Sequence, residues 1–68
     1  MASLADKFAD NLKSERIRRK LSQEALAHKA SLSVSYISML ERGQRTPPLE
    51  TLEKLAKALS VNPLVLLG

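Results

Sequence analysis

The chain has 68 residues, 44% apolar and 26% charged, with no cysteine. That composition suits one small folded domain rather than a disordered tail, and it excludes a disulfide staple or a cysteine-based zinc site. The longest apolar run, Leu64 to Leu67, is far too short for a membrane span and no signal peptide is visible, so a cytoplasmic protein with no membrane partner is expected.

Charge is unevenly placed. Residues 1–45 hold nine Lys or Arg against five Asp or Glu, and residues 46–68 hold two of each sign, so the whole net charge of +4 lies in the front part. A basic front and a neutral back suit an anionic partner on one side of the fold, though on charge alone plain solubility explains it equally well.

Every segment reads as helix, and none alternates with the period of a strand. Ser3 caps a first helix whose apolar residues Leu4, Phe8 and Leu12 recur every four positions. It is expected to end near Lys20, with Arg16, Arg18, Arg19 and Lys20 at its negative pole. Ser22 caps a short second helix from Gln23 to Lys29, with Leu26 and Ala30 facing inward. Ser31 and Leu32 turn the chain. Ser33 caps a third helix from about Val34 to Arg42, which Gly43 stops in the left-handed conformation.

Gln44 to Pro48 is a loop, since Pro47 and Pro48 fit no helix interior. A fourth helix follows from about Leu49 to Leu59, with Leu49, Leu52, Leu55, Ala56 and Leu59 on one face. Asn62 then caps a short fifth helix with Pro63 in its first turn. The expected fold is all-α, a five-helix single domain over residues 1–68.

The third helix carries the chemistry. At about 100° per residue, Tyr36, Ile37 and Leu40 share one face, and Val34, Ser35, Ser38, Met39 and Arg42 share the other. The second face is narrow, free of carboxylates and ends in arginine. Small side chains let a helix approach base edges in a DNA major groove, hydroxyls donate or accept there, and apolar groups touch thymine methyls. Arg42 and Arg45 are placed to grip phosphates beside such a groove. A bland amphipathic surface has the same pattern, and the helix alone does not separate the two. Its context does: Gln23 to Leu40 has the helix, turn and helix of a helix-turn-helix motif, with Ala27 small enough for a close crossing.

Here the segment LSQEALAHKASLSVSYISMLERGQRTPPLETLEKLAKALSV, residues 21–61, resembles the Cro/C1-type (XRE-like) helix-turn-helix of phage repressors and bacterial regulators. The likeness extends from about Leu12 to Leu67, and the LSQE, YIS, LERG and LETL pieces together make it specific. It implies a lambda-repressor-like fold and a transcriptional regulator that binds double-stranded DNA, commonly as a homodimer on a two-fold operator, with no cofactor. On the same grounds Gln23 meets a phosphate or an outer base. Val34, Ser35, Ser38 and Met39 face bases, while Arg42 and Arg45 match positions that meet the backbone. Two departures stand out. Ser31 replaces a glycine common in the turn, and the base-facing positions lack the Gln and Arg of bidentate readout, which suggests methyl contacts, water or DNA shape.

Other residues have more than one reading. Arg16 lies beside the apolar stripe of the first helix and Glu41 borders the core face of the third, so a partly buried ion pair is expected, as the resemblance also implies; a phosphate contact or a loose surface arginine are the alternatives. His28, the sole histidine, has no partner for a metal or a relay and is expected in solvent. Tyr36 packs its ring, its hydroxyl reaching water or a phosphate. Lys13, Arg18, Arg19 and Lys20 are a solvated basic end or phosphate contacts. The run Leu64, Val65, Leu66 and Leu67 is wider than one core-facing stripe. Leu64, Val65 and Leu67 are therefore expected at a dimer interface, unless the core surrounds them or further chain covers them. A protein-interaction module such as an antitoxin is the competing function. An enzyme is set aside, since no carboxylate pair, phosphate loop or metal cluster is visible.

Overall fold

The computed structural model describes residues 3–68; Met1 and Ala2 of the single domain read over 1–68 lie outside them. Five helices follow in order: α1 Leu4–Arg18, α2 Gln23–Ala30, α3 Val34–Glu41, α4 Leu49–Leu59 and α5 Pro63–Leu67. No strand occurs among the described residues.

The N-termini are set by local chemistry. The hydroxyl of Ser3 accepts from the Asp6 N–H at 3.1 Å while Asp6 accepts from the Ser3 N–H at 3.2 Å, a reciprocal capping box. Ser22, Ser33 and Asn62 likewise accept from the N–H groups of Ala25, Tyr36 and Leu64. Helix α4 starts after Pro48 without a side-chain cap.

The C-termini share one device. Leu21, Leu32, Gln44 and Val61 each donate a backbone N–H to the carbonyl five residues earlier, closing a Schellman turn. The turn needs one left-handed residue just before the donor. Gly43 supplies it after α3 with φ +72°, but Lys20, Ser31 and Ser60 take φ of 56°, 57° and 57° without being glycine. Each of those three is followed by an apolar residue (Leu21, Leu32 or Val61) packed against the core, which offsets the cost of the left-handed backbone. This shortens α1: it ends at Arg18 rather than near Lys20, because Leu21 has to turn back inward.

One core joins the five helices. Phe8, Leu12, Leu26, Ile37, Leu40, Leu55, Leu59 and Leu66 are its largest fully enclosed side chains. Ala27 and Ala30 of α2, a helix that packs on both α3 and α4, are buried as well. Asn11 Nδ2 donates to the Leu66 carbonyl at 3.1 Å and fastens α5 to α1.

Two residues of the expected apolar stripes depart from the core: Leu4 is 62% exposed and Leu49 is 76% exposed. Both occupy the first helical position, where the stripe runs past the edge of the packed centre. With Phe8, Pro47, Leu52 and Leu67 they rim an apolar groove.

Candidate nucleic-acid interface

Helices α2 and α3 meet so that the start of one lies beside the outer face of the other. Gln23 is the first residue of α2. Together with Val34, Ser35, Ser38, Met39 and Arg42 it lines a shallow open concavity of about 440 Å³. Six of the seven residues read as DNA contacts thus share one surface. The seventh, Arg45, is exposed in the α3–α4 loop and does not line the concavity.

No carboxylate lines this surface. Two carboxylates adjoin its lining residues in sequence: Glu24, which follows Gln23 and is exposed, and Glu41, which precedes Arg42, is turned inward with its side chain 3% exposed and is bound by Arg16. Arg16 Nε donates to Glu41 Oε2 at 2.6 Å and Nη2 donates to Oε1 at 3.1 Å, while Nη1 donates to the Leu21 carbonyl at 2.8 Å. A single guanidinium therefore joins α1, the end of α3 and the turn before α2. Its positive charge also offsets the Glu41 carboxylate, which would otherwise repel an anion.

Gln23 is the third member of this network, through Nε2 donating to Glu41 Oε1 at 3.1 Å. Sequence reasoning paired Arg16 with Glu41 but missed Gln23. The contact spans 18 residues and joins two helix ends, and no periodic pattern carries such a signal.

Around the rim, Arg42 Nη2 donates to the Gln44 side chain at 3.3 Å and stays exposed. Arg18 and Arg19 at the end of α1 both pair with Glu15, and like Lys13 and Lys20 they are exposed. His28 lies in solvent, and Tyr36 packs half-buried against the core. The described residues hold no group of three or more His, Cys, Asp or Glu suited to a metal. Among the described residues no helix is long and apolar enough to cross a membrane.

A family profile described as helix-turn-helix (HTH_3) matches residues 12–66, most of the chain. The chain belongs to the helix-turn-helix family. It is 44% identical over 57 residues to the immunity repressor protein of Bacillus phage phi105, a match that spans 84% of this chain but 40% of that repressor. Among solved structures, the restriction-modification controller protein C.AhdI from Aeromonas hydrophila superposes with a TM-score of 0.89 at 42% identity, covering 91% of this chain and 94% of that one. The controller C.Esp1396I, solved bound to a 25 base pair operator site, gives a TM-score of 0.86 at 33% identity over 97% and 87% of the two chains. The likeness thus covers both the five-helix fold and the α2–α3 motif that forms the concavity.

Proposed function

We propose that this helix-turn-helix chain is a sequence-specific DNA-binding transcriptional regulator, a single DNA-binding module that sets α3 in the major groove and works in the cytoplasm. The observation that carries the reading is the concavity itself. A surface of Gln23, Val34, Ser35, Ser38 and Met39, with a guanidinium at its end and no carboxylate in its lining, offers base edges small polar and apolar contacts. Arg42 and Arg45 take phosphates at the side of the groove. The reading assigns the chain no catalytic step.

The reading includes a homodimer, supported by the apolar surface of α5. Leu64 is 71% and Val65 45% exposed on α5, an apolar surface that a second copy would cover, and Leu67 lies half-buried at the apolar groove beside them. Two copies related by a two-fold axis would present two α3 helices to half-sites about 34 Å apart, one helical turn of DNA.

The test is fluorescence anisotropy with duplexes selected from a random pool, run from low to moderate salt. The reading expects binding that weakens steeply as salt rises and is abolished by Ser35→Glu, which puts a carboxylate in the groove. Absence of binding at low salt, or full retention by Ser35→Glu, would overturn it.

A further inference from the structure

Glu41 accepts three hydrogen bonds: Arg16 Nε on Oε2, and Arg16 Nη2 and Gln23 Nε2 on Oε1. A carboxylate offers only acceptors, so the carboxamide of Gln23 has one workable orientation there, with its NH2 group toward Glu41. Turned over, it would set its own oxygen against a carboxylate oxygen at about the same 3.1 Å. The second N–H of Nε2 and the carbonyl Oε1 of Gln23 have no protein partner among the described residues. Both belong to a side chain that lines the α3 concavity.

We propose that Glu41, itself held by Arg16, is a positioning residue for DNA recognition, fixing the Gln23 carboxamide so that its remaining N–H and its carbonyl are presented to the nucleic acid. This rests on the DNA-binding reading and extends it, since the buried pair then acts on the ligand and not on the fold alone. A pre-oriented amide binds without first losing its rotamer freedom. The groups left over are one donor and one acceptor side by side, which match the N6–H and N7 of adenine; a phosphate oxygen uses the donor alone.

The test is a double-mutant cycle on DNA affinity. One arm is Gln23→Ala. The other replaces the pair together, Arg16→Met with Glu41→Met, since exchanging both partners for apolar side chains leaves no unpaired buried charge and preserves folding. Affinities are read by anisotropy on a duplex selected from a random pool, with folded fractions fixed by circular dichroism. With Gln23 present, replacing the pair should weaken binding about tenfold. In the Gln23→Ala background the same replacement should change it by about twofold or less, a gap within the usual range of coupled neighbours. Equal weakening in both backgrounds would show a merely structural pair and overturn the inference while leaving the DNA reading intact. Failure of the unaltered chain to bind any duplex would overturn both.

A spectroscopic readout needs no DNA. The two NH2 proton signals of Gln23, distinct in any glutamine, should lie away from free-glutamine positions and exchange slowly with solvent, and should return to those positions when the pair is replaced. An already mobile amide in the unaltered chain would also overturn the inference. Comparing duplexes that carry adenine or 7-deaza-adenine at each position separates the two DNA groups: coupling that falls at one position marks a base contact, and coupling unchanged throughout marks a phosphate.

Discussion

Arg16 and Glu41, on helices α1 and α3, are joined by two hydrogen bonds of 2.6 and 3.1 Å, with the Glu41 side chain almost wholly enclosed. Removing one partner strands the other's charge away from water, which is far costlier than losing the contact alone. Arg16→Met should destabilise the fold by about 3–5 kcal/mol. A domain of this length has only roughly 3–10 kcal/mol to lose, so the variant should melt far below the parent or fail to fold. A thermal melt that matches the parent's would remove the pair from the account.

The left-handed serines point the other way. Ser60 closes α4 at φ 57°, a conformation that costs a side chain about 1–2 kcal/mol and glycine almost nothing. Part of the gain returns to the unfolded chain as glycine's extra freedom. Ser60→Gly should therefore raise stability by about 0.5–1 kcal/mol in urea titrations. A loss of stability would mean that the serine side chain contributes more to the turn than its backbone strain removes.

Arg45 separates position from recognition. It is exposed, lies outside the concavity and makes no ion pair among the described residues. Arg45→Ala should weaken binding to selected and random duplexes alike and reduce the slope of log K against log salt by about one. A selective loss on the selected duplex would instead place Arg45 against bases.

On α5, Leu64→Glu puts a charge where the proposed dimer buries an apolar side chain. Leu64 is 71% exposed in the single chain, so the fold should keep its melting behaviour at low concentration. Sedimentation should shift from dimer to monomer, and operator affinity should fall with it. A dimer that persists would move the interface elsewhere, with the groove around Leu4 and Leu49 the next surface to probe.

What was legible in the sequence follows the range of each interaction. Ser3, Ser22, Ser33 and Asn62 bond to N–H groups two or three residues away, so they mark helix starts without tertiary knowledge. The concavity was nearly as legible, because five of its six lining residues belong to α3 or its cap and share one face by helical period. The end of α1 was not, since Lys20 adopts the glycine conformation only because Leu21 gains by packing inward. Leu4 and Leu49 show the limit of periodicity. It tells which face of a helix is apolar, but not how far the neighbours that cover the face extend. The bond from Gln23 to Glu41 depends on how two helix ends are brought together, and only the folded chain holds that relation.

The most direct measurement is a 15N chemical-shift titration of the chain with a selected duplex. The account predicts that the largest changes fall on Gln23, the Val34–Met39 stretch and Arg42, with α4 residues such as Lys54 and Lys57 nearly still. Changes centred on Lys54 and Lys57, or on the Leu4 and Leu49 groove, with α3 unmoved, would contradict it.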